Sequence, residues 1–142
     1  MQKAIRHILA TIGYRFNKTV TAVDIAFGDF EAGNDAKKPS EIIHHITQIL
    51  FFAKKVFGDD IPSKIELLSY PEEIARFYKI LNELDLLVCD VIIRDLPYYK
   101  LIQGPLADIL SHVGQLALLR RLYGSPIAAE DFMEADIQSG RF

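Results

Sequence analysis

Pro105-Leu-Ala-Asp-Ile-Leu-Ser-His-Val-Gly-Gln-Leu-Ala-Leu-Leu-Arg-Arg-Leu-Tyr123 reads as a helix that carries polar groups in an apolar setting. Asp108 and His112 are four residues apart, so they share one helix face. With Asp108 at 0° and a step of ~100° per residue, His112 falls near ~40°, Leu116 near ~80°, Leu119 near ~20° and Gln115 near ~−20°. Leu116 and Leu119 mark that stripe as core-facing, which predicts that Asp108, His112 and Gln115 point inward. Burying polar groups without partners costs on the order of several kcal/mol. A bound metal ion is one reason to place them there. The other side of the same helix is also apolar: Leu106, Leu110, Val113, Gly114 and Ala117. A helix apolar on both sides is usually covered on both, here by another helix or by a second subunit.

Working outward, three more helices are expected. The first runs from Gln2 to Phe27, with Ile5, Ile8, Leu9, Ile12 and Phe16 at helical spacing; the β-branched residues over Val20–Ala26 weaken its end. A loop follows, from Gly28 to Lys38. The second helix starts at Pro39, whose fixed φ suits the first helical position, and ends near Phe57 with Gly58 as the terminating residue. Its stripe is Ile42, Ile46, Ile49, Ala53 and Val56. The linker Asp59–Leu68 includes Pro62, and Ile61–Leu68 is the one candidate for a short extended piece. Ser69-Tyr-Pro-Glu72 reads as a capping box opening the third helix, with Ile74, Phe77, Leu81, Leu84, Val88 and Val91 toward the core. Asp95-Leu-Pro97 should end or interrupt it. The fourth helix is expected from Gly104-Pro105 to Tyr123-Gly124, where Arg120 and Arg121 suit the helix dipole. Residues 1–124 are thus an all-α, four-helix domain, and 125–142 a polar tail packing on it or on a partner subunit.

The same face test selects a third candidate ligand. On the second helix His45 lies at the edge of the stripe, whereas His44 falls on the polar side with Gln48 and Lys55, as a solvated or interface histidine. His45, Asp108 and His112 make a reasonable three-point metal site, with imidazole suited to Zn, Ni, Fe and Cu and a carboxylate offsetting charge. Three protein ligands leave positions open for water or substrate. The competing reading is an Asp108–His112 ion pair with His45 merely packed. His7 is expected to be exposed. Tyr14 and Tyr78 either line a pocket or sit in the core with wet hydroxyls. Asp85 is a minor candidate to support the ligands, and Asp59-Asp60 reads as a solvated turn.

Composition narrows the classes. The chain has 142 residues, half of them hydrophobic and a quarter charged, with formal net charge −3. That fits one domain with a core. No basic stripe or nucleic-acid motif is present, and no apolar run reaches the ~20 residues of a membrane span. The first residues, Met-Gln-Lys-Ala-Ile-Arg-His, lack the apolar core of a signal peptide. A single cysteine, Cys89, forms no internal disulfide and is expected to be a small buried hydrophobe in a reducing, cytoplasmic setting.

Two segments carry a family resemblance. Lys38-Pro-Ser-Glu-Ile-Ile-His-His-Ile46 looks like the start of helix two in the DinB-like (YfiT-like) metalloenzyme family, where a histidine followed by an apolar residue supplies a ligand. Asp108-Ile-Leu-Ser-His-Val-Gly-Gln-Leu116 resembles that family's H-x-x-x-H-x-G-Q-L segment. The spacing of segments up to Gly124 also matches. The resemblance implies a four-helix bundle in up-down-down-up order, often a homodimer, with His45, Asp108 and His112 as metal ligands. Asp108 departs from the family pattern, which usually has histidine there. Better-understood members resemble thiol-dependent enzymes, in which a divalent metal (Zn, Ni, Mn or Fe) activates a low-molecular-weight thiol for transfer to an electrophile. Gln115 would then orient a ligand from behind. The alternative is a non-catalytic binding or stress-related bundle with a vestigial or empty site.

Overall fold

The computed structural model describes residues 1–90 and 98–142, and no strand occurs among them, Ile61–Leu68 included. Helix α1 spans Gln2–Val20 and buries Ile5, Leu9, Ile12 and Phe16. It stops short of Phe27, where the sequence reading had placed its end. Thr21 is extended and Ala22 takes a left-handed φ of 54°. The Asp24 carboxylate accepts from the Ala26 amide at 2.7 Å, capping a 3-10 turn over Ile25–Asp29. Local side-chain capping thus wins over a β-branched, poorly helical sequence. The turn drives Phe27 into the core.

Helix α2 spans Pro39–Lys55, with Pro39 opening it and the Lys38 amide donating to Glu41 Oε2 at 2.7 Å. The buried Ser40 hydroxyl donates to the Gly28 carbonyl at 2.8 Å and fixes the entry to the helix. Its buried stripe is Ile42, Ile43, Ile46, Leu50 and Ala53. Ile49 is only half-buried and Val56 is exposed, so the stripe is rotated from the one expected. Gly58, with φ of 85°, ends the segment as its position predicts.

Helix α3 spans Tyr70–Asp90. Glu72 reaches back to the Ser69 amide at 3.1 Å, the glutamate half of a capping box. The Ser69 hydroxyl turns to the same carboxylate instead of a free amide. Phe77, Leu81, Leu84 and Val88 are buried. Cys89, expected inside, is exposed, because one step beyond Val88 turns ~100° away from the core. Val91 and Asp95-Leu-Pro97 lie outside the described residues.

Helix α4 (Tyr98–Leu101) passes through a π-helical turn, Ile102–Leu106, into helix α5 (Ala107–Leu122). The helical backbone therefore begins before Gly104-Pro105, where it was expected. Pro105 has no amide hydrogen to give an i→i−4 bond, and the wider turn takes up that break without ending the helix. Gly124, at φ 86°, follows the helix end.

Helices α1 and α2 each pack on both α3 and α5. Arg6 near the start of α1 makes a two-pronged pair with Asp85 near the end of α3, at 2.9 and 2.7 Å. The other end of α1 meets the first half of α3, with the Phe16 and Phe77 rings 3.9 Å apart. Between α2 and α3, His44 meets Glu73 and Lys54 meets Glu83, early with early and late with late. Tyr123, just past α5, packs on Phe27 and Phe30 at 5.4 and 5.3 Å between centroids. Those aromatics precede α2, so the end of α5 lies beside the approach to α2.

Arg120 lies in the last turn of α5, as the dipole reading expected, but it is buried. Its guanidinium donates to the carbonyls of Lys18 (2.9 Å), Thr21 (2.7 Å) and Ser125 (2.8 Å) and to the Ser125 hydroxyl (2.8 Å). It ties the ends of α1 and α5 together. The C-terminal tail lies along α1: Glu130 accepts from Tyr14 and pairs with Lys18 at 3.0 Å, and Phe132 lies under the Arg15 guanidinium at 4.0 Å. Phe142 closes over Gly13, where a Cβ would come within 2.9 Å of its ring. The tail also faces Leu110, Gly114 and Ala117 across a cleft of about 430 Å3. Part of the second apolar face of α5 is thus met by the chain itself, while Leu106 and Val113 belong to the core. Among the described residues no helix is long and apolar enough to cross a membrane.

Candidate metal centre

Helix α2 delivers His45 and α5 delivers Asp108 and His112, and one ligand atom from each lies within 4.8 Å of the other two. The His45 and His112 rings meet edge to face, 4.7 Å between centroids at 88°. His112 Nε2 is 3.3 Å from Asp108 Oδ1. Donors ~2.1 Å from a common ion in tetrahedral array are about 3.4 Å apart. The Asp108–His112 edge already has that spacing, and the remaining edges need to close by at most about 1.4 Å. The donor set, two imidazoles and a carboxylate, therefore fits a divalent ion in both chemistry and reach.

The structure corrects where this group sits. Asp108 is exposed, its side chain 53% accessible, while that of His112 is 18% accessible; Gln115 is exposed. The buried residues of α5 are Ile109, Val113, Leu116, Leu119 and Arg120. The middle of the core face thus lies about 100° round from Asp108. Leu119 borders that face on the polar side, so using it as a marker turned the expected stripe toward Asp108. The triad occupies the rim between two helices. The cost of burying a carboxylate no longer argues for a metal. The convergence of three donors from two distant segments does.

The surroundings set the protonation of the imidazoles. Burial, followed by the charges of His112 and Lys37, holds the His45 pKa below the ordinary imidazole value, against an opposing interaction with Gln48. His45 is therefore neutral at pH 7, the form that ligates. On the other histidine, Nδ1 faces Gln115 Oε1 at 2.9 Å. A carbonyl oxygen only accepts, so the contact with Gln115 has Nδ1 donating, and Nε2 is the nitrogen on the Asp108 side. Gln115 thus meets His112 from the same helix, on the exposed rim and not on the inward stripe expected of it. Two shallow hollows of about 400 Å3 each adjoin the triad. One has His45, Asp108, Phe52 and Pro105 in its wall; the other has His112, Gln115, Lys37 and Ile42.

The remaining candidates fall elsewhere. His7 is exposed, as expected. Asp85 is committed to Arg6 and lies on α3, which contributes nothing to the triad. Tyr14 and Tyr78 line a cleft of about 640 Å3 between α1, α3 and the tail. Burial pushes the Tyr78 phenol up to about 12. Asp59 pairs with Lys54 at 2.9 Å. His44 overturns its solvated reading: it is largely buried between α2 and α3, with Nδ1 3.0 Å from Glu73 Oε1. Glu73 is fully buried and was missed. The helix-face test would have found it, because Tyr70, Phe77, Ile80 and Leu81 flank it at helical spacing.

No protein-family model, no curated protein and no solved structure matches this chain.

Proposed function

We propose that this protein is a DinB-like four-helix bundle in up-down-down-up order that holds a divalent ion at His45, Asp108 and His112 and uses it to activate a small thiol. The observation that carries the reading is the convergence of those three donors within 4.8 Å from two helices. The topology is supported by the contacts between helices. α1 meets α3 end to opposite end, α2 meets α3 in the same sense, and Arg120 joins the C-terminal ends of α1 and α5.

A bound divalent ion supplies the Lewis acidity that keeps a coordinated thiol as thiolate at neutral pH. The chain's own groups do the rest. His45, held neutral by burial, presents a lone pair, His112 Nε2 faces the same point, Asp108 offsets one positive charge, and the thiol proton would leave through the open rim to solvent. Phe52 and Pro105 offer an apolar wall to a substrate beside His45. The thiolate sulfur would then bond to an electrophilic carbon as its leaving group departs. To test this, the Co(II)-loaded protein is titrated with a simple alkanethiol and with a generic aryl halide acceptor. A sulfur-to-cobalt charge-transfer band and a thiol-transfer rate that falls at least about 100-fold in His112→Ala are expected, the scale of one lost ligand. Equal rates in the two proteins sink the catalytic reading.

The openness of Asp108 favours a second reading, a bundle that binds metal or nothing at the rim without turnover. Metal uptake with no thiol band and no transfer selects it. The homodimer belongs to the same proposal, because Leu118 and Leu122 remain 57% and 58% exposed beside the half-buried Leu110. Light scattering should report a dimer that Leu110→Glu dissociates; a monomeric wild type refutes it.

A further inference from the structure

Glu73 is a carboxylate with no exposed side-chain surface, and it lies two helices away from Asp108. Its Oε1 accepts from the Leu68 amide at 2.9 Å and from Arg76, and it faces His44 Nδ1 at 3.0 Å. Oε2 has no partner. On the far side of the His44 ring, Nε2 is 3.0 Å from Gln48 Nε2. Gln48 stands four residues after His44 and three after His45, so on a helix its amide reaches both rings. Gln48 and His45 also line the same hollow.

The hydrogen-bond directions follow from these contacts. Arg76 Nη2 is 2.9 Å from His44 Nδ1, but it already donates to Glu73, and it shares the Glu66 carbonyl with Nη1. A bare Nδ1 would set its lone pair against the Glu73 carboxylate. The proton therefore belongs on His44 Nδ1, donated to Glu73. His44 Nε2 is then an acceptor and takes a hydrogen from the Gln48 amide nitrogen. That orientation leaves Gln48 Oε1, an acceptor only, to meet His45, three residues back on the same helix and in the wall of the same hollow.

We infer that Glu73, His44 and Gln48 form a positioning relay that fixes the tautomer of His45 and aims its free nitrogen at the metal site. The inference rests on the metal reading for its purpose, though not for its geometry. Each link polarises the next, so the buried carboxylate adds electron density to the His45 nitrogen that would bind the ion. The two ligating histidines are then treated alike: His112 is oriented by Gln115 on its own helix, and His45 by Gln48 backed by α3. His44 thus acts through its neighbour and is no alternative ligand.

The test uses ring-nitrogen NMR on the full-length, metal-free protein, with Zn(II) titration as a separate arm. In wild type at pH 8, His44 should be the Nδ1–H tautomer and His45 a single neutral tautomer. Gln48 is exposed, so Gln48→Leu should spare the fold. It should leave His44 as Nδ1–H, convert His45 to a tautomer mixture, and weaken Zn(II) binding by about 10- to 100-fold. Gln48→Glu keeps an acceptor toward His45 and should restore its single tautomer. Identical His45 nitrogen shifts in wild type and Gln48→Leu, or an Nε2–H tautomer at His44, overturn the relay. A wild type that binds no Zn(II) overturns the metal reading instead, and the nitrogen shifts still decide the relay.

Discussion

Alanine at His45 or at His112 is expected to weaken Zn(II) binding by at least about 100-fold. Structural zinc held by four ligands is worth roughly 10–16 kcal/mol, or about 3 kcal/mol for each ligand. At about 1.4 kcal/mol per decade, one ligand is worth about two decades. The loss should occur without unfolding, because neither ring belongs to the buried apolar core. Asp108→Asn keeps the shape and removes the charge, so it should cost less than either histidine. Asp108→His should retain the ion, since it installs a neutral nitrogen donor at the same place. Competition between protons and metal follows the His45 shift. Because burial lowers its pKa, protons displace metal from His45 only below the usual imidazole value of about 6.5. Affinity should therefore hold between pH 8 and 7 and fall in the acid range. A chromophoric chelator competition measures wild type and all four variants. Equal affinity in wild type and His45→Ala would mean that Zn(II) binds elsewhere.

Arg120→Met is expected to lower the unfolding free energy by about 3–5 kcal/mol. Methionine fills the volume but donates nothing. The carbonyls of Lys18 and Thr21 at the end of α1, and that of Ser125, would lose charge-assisted partners at 2.7–2.9 Å. Each buried group left unsatisfied costs about 1–3 kcal/mol, and some will find water as the ends of α1 and α5 part. A domain of this size has about 5–15 kcal/mol in total, so the variant should be visibly fragile. Arg120→Lys should fall between, because one ammonium cannot reproduce a planar fork that serves several oxygens. Urea unfolding followed by circular dichroism gives the difference. A change under about 1 kcal/mol would show that the clamp contributes little.

The sequence alone determined the class and most of the helix map. Pro39, Gly58, the Glu72 cap and Gly124 are local signals, because caps and special φ values act within a few residues. They survive in the structure. Spacing also determined that Asp108, His112 and Gln115 share a face, since a helix turns by a constant angle. Tertiary structure decided which way that face points. The Leu119 marker borders both the core and the rim, and only packing against α1 and α2 shows that Ile109 and Leu116 lie nearest the centre. The partners of His44 and Arg120 were likewise settled between helices. Glu73 lies 29 residues from His44, and Thr21 lies 99 from Arg120. A single sequence carries no measure of such distances. Whether a charged side chain is solvated or clamped depends on what the neighbouring helix brings to it. For that reason His44, expected on the polar side, is largely buried, and Arg120, expected only to suit the helix dipole, is clamped inside the fold.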